Sequence, residues 1–376
     1  MTTRIAVVGG GWRAQFYGRL ARALPDEFDL VGMTARSAAT REEWERVFPG
    51  CPAFPTAGDL VRRARPDLVV VAVSHTANGA VSRSLAIDEG VHVLAETPPA
   101  ADVDGLRRLW DAVGGTGLVQ VAEQYPALPE HAARRAVIRN GAIGPVTQVQ
   151  VSSTHTYHAV ALIRSYLRET AGVGAGGAAD GAPGACFGPA TVTAHVSRAP
   201  LLDPEDRSGW HDDPRQVDAA TTLAVLDLPE GVGLYDFTDN QWHNRLLHRR
   251  VLVRGTRGEI SGDSVRHLPE PRVLVRSSLE RRQTGYDLDL DGFCLESITF
   301  EGRAVYRMPF PGRRFSDEDI AIATLMRSAG TWARGEGAPA YPLAQALQDQ
   351  LLGLAIESSA ARGGAPVRTG VEAWGR

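Results

Sequence analysis

Near the start of the chain, Gly9-Gly10-Gly11-Trp12-Arg13-Ala14 follows the spacing G-x-G-x-x-A. The spacing suits a turn from a strand into a helix that grips a pyrophosphate. Gly9 permits the tight turn, Gly11 lets the backbone approach the phosphates, and Ala14 keeps the helix close to the sheet. The helix N-terminus then turns its free N–H groups toward the anion. Trp12 and Arg13 fall on that first helical turn. A dinucleotide cofactor is the expectation, and the residues after the second apolar run choose its type. An acid there accepts from the ribose hydroxyls of NAD. This chain reads Thr34-Ala35-Arg36-Ser37 instead. Arg36 suits stacking on adenine and pairing with a 2′-phosphate, and Ser37 suits donating to it. The expected cofactor is NADP, with NAD as the alternative.

These residues need a scaffold of alternating strands and helices. Short apolar runs are expected to be strands at Ile5 to Val8, Leu30 to Met33, Leu68 to Val73, His92 to Ala95 and Leu118 to Ala122. Helical spacing fills the gaps, through Phe16, Leu20 and Leu24, near Asp59 to Ala64, across Gly79 to Glu89, and across Val103 to Val113. Such alternation predicts βαβ units and a parallel sheet. In that sheet Glu96 and Glu123 fall at the C-terminal ends of strands, where ligands bind. From Val146 the pattern changes to period two, as in Val149 and Val151, Leu223 and Val225, and Val251 and Val253. That predicts an open, mainly antiparallel sheet with one freer face. Residues Ala171 to Pro189, nearly all Gly, Ala and Pro, read as a flexible insertion. Ser316-Asp317-Glu318-Asp319 is expected to cap a helix over Ile320 to Trp332, and Pro342 to start another carrying Leu343, Leu347, Leu351 and Leu354. The expected fold class is α/β, with a Rossmann domain over 1–124 and a substrate-binding and oligomerisation domain over 125–376.

Gly90-Val91-His92-Val93-Leu94-Ala95-Glu96-Thr97-Pro98 resembles the GxHVxxEKP segment of the glucose–fructose oxidoreductase, inositol dehydrogenase and MocA family. Asn140-Gly141-Ala142-Ile143-Gly144-Pro145-Val146, Val253-Arg254-Gly255-Thr256-Arg257-Gly258-Glu259 and the stretch from Tyr341-Pro342-Leu343 to Asp349 extend the resemblance over nearly the whole chain. It implies a Rossmann domain followed by an α/β domain whose open sheet serves dimer or tetramer contacts. It also implies oxidation or reduction of a sugar, cyclitol or related small molecule.

The resemblance also shows where this chain departs from the family. The family's lysine, which contacts the substrate hydroxyl, is Thr97 here. Its Asp-x-x-x-His pair maps to Thr154 and His158, and its Pro-Asn-x-x-His segment becomes Ser74-His75-Thr76-Ala77-Asn78. Ser74, His75, Asn78, Glu96 and Thr97 are thereby candidates for cofactor contact. His158 is the first candidate for general acid and base, since imidazole titrates near neutrality. Tyr157 offers a phenol, and Thr97 can orient an oxygen. Glu123, Tyr125, His155, Trp242 and His243 are candidate substrate contacts. His155 and His158, three residues apart, suggest a metal pair only weakly, because no third ligand is placed, and no metal is expected. Arg164, polar in an apolar helix, reads as a structural salt bridge.

All 40 basic residues are arginine, so no lysine base or Schiff base is available. A net charge of −4 excludes an electrostatic case for nucleic acid or an anionic membrane. Three scattered cysteines argue against a disulfide framework or a zinc site. No leader pattern or membrane-length apolar run is visible, so a cytoplasmic protein is expected. The leading expectation is an NADP-dependent oxidoreductase of a small polar alcohol or carbonyl, acting as a homodimer or homotetramer. The alternatives are a cofactor-retaining lyase or hydrolase and a non-catalytic ligand-binding protein.

Overall fold

A computed structural model describes residues 2–169, 185–285 and 293–376. Most of the insertion expected at Ala171 to Pro189 lies outside the described residues. The chain divides into two compact units, Met1–Ala127 with Phe315–Gln350, and Leu128–Arg314 with Leu351–Arg376.

In the first unit the elements follow in order β1 (Thr3–Val8), α1 (Trp12–Ala23), β2 (Phe28–Thr34), α2 (Ala38–Val47), β3 (Ala53–Phe54), α3 (Ala57–Ala64), β4 (Leu68–Val71), α4 (His75–Ile87), β5 (His92–Ala95), α5 (Val103–Val113) and β6 (Val119–Val121). The strands form one parallel sheet in the order β3-β2-β1-β4-β5-β6, the doubly wound arrangement. All four residues of β4 are buried, as a strand covered on both faces requires. Side chains start the helices where the sequence supplies caps. Ser37, Thr56 and Asp102 accept from the amides of Thr40, Asp59 and Gly105 at 3.0, 3.0 and 2.7 Å. Strand β4 stops at Val71, short of the expected Val73, and α4 begins at His75, earlier than the expected Gly79. The chain turns out of the sheet there because Gly9 lies against Ala72, and a Cβ on Gly9 would sit 2.1 Å from the Ala72 carbonyl oxygen.

The second unit begins with α6 (Pro129–Arg139), β7 (Val146–Ser152) and α7 (Thr156–Leu167). It continues through β8 (Thr191–Asp206), β9 (Gly209–Leu228), β10 (Gly231–Thr238), β11 (Arg250–Gly255), β12 (Gly258–Ser261), β13 (Ser264–Glu270), β14 (Val273–Thr284), β15 (Cys294–Phe300) and β16 (Arg303–Arg307). Helices α8 (Asp317–Ala333) and α9 (Leu343–Ala361) and the short β17 (Val367–Arg368) end the chain's regular structure. The sheet runs β16-β15-β14-β13-β12-β11-β7-β10-β9-β8-β17 and is antiparallel except where β10 pairs with β7. Helix α7 covers one face. It sits close because Gly233 has no Cβ, which would meet Ile163 at 2.7 Å. The other face carries exposed Leu223, Val225 and Val232.

The expectation that everything after residue 125 forms one domain gives way to a different grouping. Helix α8 belongs with the Rossmann unit. Its capping box forms as expected, with the Asp319 amide donating to the Ser316 hydroxyl at 3.1 Å and the Ser316 amide to the Asp319 carboxylate at 2.9 Å. Across some 300 residues of sequence, Asp319 also pairs with Arg19 at 2.6 Å and Arg327 with Glu27 at 2.6 Å. Gly330 lets the helix press on Thr3, whose hydroxyl a Cβ would meet at 2.3 Å. Among the described residues no helix is long and apolar enough to cross a membrane.

Candidate active site

In the first unit the loop after β1 opens a cavity of about 570 Å³. Gly9, Gly11, Trp12, Arg13, Arg36 and Ser74 line it, six of the residues the sequence assigned to the cofactor. Gly9 is at φ +138, and Gly11 is the N-cap of α1. A Cβ added at Gly11 would meet nothing within 4 Å, so open space faces the first amides of the helix. Ala14 is fully buried one turn on and holds α1 against the sheet. The residues fit a dinucleotide, with glycine where the backbone must be bare, a helix N-terminus facing the cavity, and an exposed arginine where NAD enzymes carry an acid. Ser37 is engaged as the cap of α2 and shares a hydrogen with the Thr40 hydroxyl at 2.6 Å. The exposed Arg36 side chain has no ion pair among the described residues, while Arg41 donates to the Ala35 and Arg36 carbonyls at 2.6 and 3.1 Å and holds that turn.

The remaining cofactor candidates of this unit support the loops. Glu96 is buried, and one of its oxygens accepts from Arg13 Nε at 2.6 Å and from the Tyr17 hydroxyl at 2.5 Å. Arg13 also reaches Glu318 at 2.8 Å and donates to Gln124. Burial alone would lower the Arg13 pKa, but Glu96, Tyr17 and Glu318 hold it above its ordinary value. Burial, with the Glu96 charge added, pushes the Tyr17 phenol well up. Asn78 is buried, donates to the Glu96 and Pro98 carbonyls and accepts from Ser82 at 3.1 Å, so it fastens α4 to the end of β5. The Thr97 amide donates to Glu96 at 3.2 Å. His75 is exposed and lines a separate groove with Arg83 and Arg108, away from the glycine turn. Glu123 is buried, and its carboxylate accepts from the Tyr125 amide at 2.8 Å, closing the turn that starts Tyr125–Ala127. Tyr17, Gln124 and Glu318 were not anticipated. The i, i+4 spacing of Arg13 and Tyr17 on one helix was the available signal.

In the second unit the strand β7 delivers Ser153, Thr154 and His155 to the N-terminus of α7, with His155 as the N-cap. The His155 ring packs on Phe237 of β10 at 4.9 Å, and Tyr157 meets His158 edge to face at 5.3 Å. Tyr157 is buried and His158 half-buried. Thr154, where the resemblance places an acid, is fully buried, and its hydroxyl has no hydrogen-bond partner among the described residues. Burial first, then the charges of His158 and of His243 in the loop after β10, lowers the His155 pKa. Trp242, also in that loop, lies under the Arg249 guanidinium at 4.8 Å. Arg164 is buried and donates to the Cys186 carbonyl at 2.9 Å, with its guanidinium over the Phe187 ring at 5.8 Å. Among the described residues no group of His, Cys, Asp and Glu is placed to hold a metal ion.

A glycine turn opening the first helix of a doubly wound sheet, with a cavity beside it, fits a dinucleotide-binding scaffold. Residues 3–124 match the model of the Gfo/Idh/MocA family, described as an oxidoreductase family with an NAD-binding Rossmann fold. Among curated proteins no sequence matches the chain. Among solved structures, levoglucosan dehydrogenase in its apo form shares the fold with a TM-score of 0.67 and 17% identity, covering 99% of this chain and 100% of that one. Its complex with NADH and levoglucosan gives 0.64 and 19% over the same shares. An oxidoreductase from Agrobacterium radiobacter, in complex with NAD+, L-tartaric acid and magnesium, gives 0.63 and 15%, covering 99% of each chain.

Proposed function

We propose that the protein is an NADP-dependent oxidoreductase of a sugar, cyclitol or similar small polar alcohol or carbonyl. The observation that carries the cofactor choice is Arg36, exposed on the wall of the glycine-turn cavity at the end of β2, where no carboxylate stands. When bound, the nicotinamide supplies the hydride chemistry. Gly9, Gly11 and the first amides of α1 would hold the pyrophosphate, and Arg36 would pair with the 2′-phosphate. His158 would take or return a hydroxyl proton, and Thr97 is the candidate in the first unit for a hydrogen bond to substrate. The family match and the dehydrogenases of like fold support a sugar-like substrate.

The test is fluorescence titration with NADPH and NADH, followed by a panel of sugars and cyclitols read by NADPH absorbance. A charge-assisted pair contributes about 1.5–3 kcal/mol, roughly tenfold or more in affinity. NADPH is therefore expected to bind at least that much more tightly than NADH, and Arg36→Ala to remove the preference. Equal affinities in the unmodified protein refute the cofactor assignment. Replacing His158 by Ala is expected to lower turnover by about 10²–10⁴-fold with NADPH binding retained, and Thr97→Ala by less. A His158 variant of normal turnover refutes its role.

The exposed apolar residues Leu223, Val225 and Val232 on the uncovered sheet face support self-association as a dimer or tetramer. Light scattering at micromolar concentration tests this, and a monomer mass refutes it.

A further inference from the structure

The second unit carries a polar cavity of about 710 Å³ at the turn between β8 and β9 and the loop after β10. Arg207, Arg245 and Arg249 line it against only two acids, Glu205 and Asp206. Both acids already have partners. Glu205 pairs with Arg245 at 2.9 Å. Asp206 accepts from the Ser208 amide and hydroxyl at 2.7 and 2.6 Å and pairs with His211 at 3.2 Å. Arg249 makes no ion pair among the described residues. Its guanidinium lies over the Trp242 ring, and its charge is felt, weakly, by Glu130. Stacking on the indole holds the guanidinium plane while leaving the donor edge free for a planar, two-oxygen acceptor.

The walls are fastened before any ligand arrives. Asn240 donates to the Asp203 carboxylate at 2.5 Å and to the Glu205 carbonyl at 2.8 Å, and Asn244 donates to the Leu202 carbonyl at 2.9 Å. A preformed site avoids the ordering penalty of a mobile one. His243 lines this cavity, and its charge is among those that lower the His155 pKa.

We propose that this cavity is a subsite for the carboxylate of an acidic sugar or polyol, with Arg249 as the residue that binds it. This rests on the reading of the protein as an oxidoreductase of sugar-like molecules. Arg249 makes no ion pair among the described residues, and its one positive charge suits a single negative charge. A neutral sugar leaves that charge unanswered, and a phosphate monoester brings two.

The experiment is calorimetric titration of the full chain, saturated with NADPH, with D-glucuronate, D-glucose and D-glucose 6-phosphate. D-Glucuronate is expected to bind about tenfold more tightly than D-glucose, with the difference shrinking as chloride is raised. In Arg249→Ala the preference disappears while D-glucose affinity stays the same, and Arg249→Lys retains only part of it. Equal binding of the acid and the neutral sugar, binding of neither, tighter binding of the phosphate, or a preference that survives Arg249→Ala overturns the subsite. NADPH titration of the same samples reports on the Rossmann domain separately. A failed subsite with intact cofactor binding therefore leaves the oxidoreductase reading standing, and a lost cofactor site is seen directly.

Discussion

Arg13 Nε lies 2.6 Å from the Glu96 carboxylate, tying the first turn of α1 to the end of β5. Tyr17 donates to the same oxygen, and Glu318 of α8 takes another edge of the guanidinium. The arginine on the cavity wall is therefore held by protein acids. Its side chain and that of Glu96 are only 16% and 11% exposed. Removing one partner leaves a nearly buried charge, which costs about 3 kcal/mol or more. Glu96→Ala is expected to lower stability by that amount in urea melts, and Arg13→Ala by a similar amount. A loss below about 1 kcal/mol in both would show that the pair does not brace the turn.

The two outer glycines of the turn separate stability from binding. A Cβ on Gly9 meets the Ala72 carbonyl at 2.1 Å, and φ is +138. Gly9→Ala is therefore expected to destabilise the first unit by more than about 3 kcal/mol, from strain plus overlap. Gly11 has open space and an ordinary φ of −78. Gly11→Ala should leave the melting temperature unchanged and weaken NADPH at least about tenfold, since the methyl stands where the phosphates approach. A Gly11 variant with normal affinity would remove the pyrophosphate from this turn.

His131 sets an acid limit on the second unit. Its Nδ1 lies 2.7 Å from the Tyr166 hydroxyl and 3.2 Å from Arg134, a donor, so the ring accepts there and is neutral. Burial is the main cause that lowers its pKa from 6.5 to about 4. Arg134 assists, and Glu130 opposes. A folded pKa below the unfolded one means that the unfolded chain binds the proton first. Stability is therefore full above pH 6.5, falls between 6.5 and about 4, and levels off below. The total is about 3 kcal/mol for a shift of this size. Glu130, also held low, loses its contribution only below its ordinary 4.5, so the two windows barely overlap. His131→Gln should flatten the urea-midpoint profile between pH 6.5 and 4.5. An unchanged slope would place the titration elsewhere.

The Rossmann half was legible because its strands are short, mostly apolar and punctuated by glycine, so period and turn chemistry agree. Helix α5 and strand β5 fall at their expected residues, Val103–Val113 and His92–Ala95. The grouping of α8 with that half was not legible, because the contacts that decide it, such as Arg19 to Asp319, join residues 300 apart. The site divides the same way. Gly9, Gly11 and Arg36 announce themselves through spacing and type. Arg13 and Glu96 also stood out, but their attachment to each other depends on how close α1 comes to β5, which no local pattern records. The open sheet was expected from alternation, whereas the cavity beside its long hairpin depends on loop contacts made by three amide side chains.

One of those amides, Gln241, governs the geometry of the histidines. It is buried, its oxygen accepts from the Thr238 amide at 3.0 Å, and its nitrogen donates to the Ser152 carbonyl at 3.0 Å and the His248 carbonyl at 2.9 Å. It thus joins the end of β10, the end of β7 and the far side of the Trp242–His243 loop, and it fixes His243 relative to His155. Removing it leaves buried carbonyls without donors, a penalty of about 1–3 kcal/mol. Thermal denaturation of Gln241→Ala should show that loss. A purely structural role would end there, but the position of His243 also bears on titration. The His155 pKa is lowered by burial and then by the charges of His158 and His243, against the opposing Asp239. Loosening the loop exposes the ring and moves His243 away, and both changes favour the protonated form. The His155 midpoint, followed by NMR of the ring carbons, is therefore expected to rise toward its ordinary value in Gln241→Ala. In Gln241→Glu the acceptor remains but the carboxylate faces two carbonyl oxygens, so the same rise is expected with a larger loss of stability. A His155 midpoint unchanged in both variants would mean that the loop is held by Asn240 and Asn244 alone.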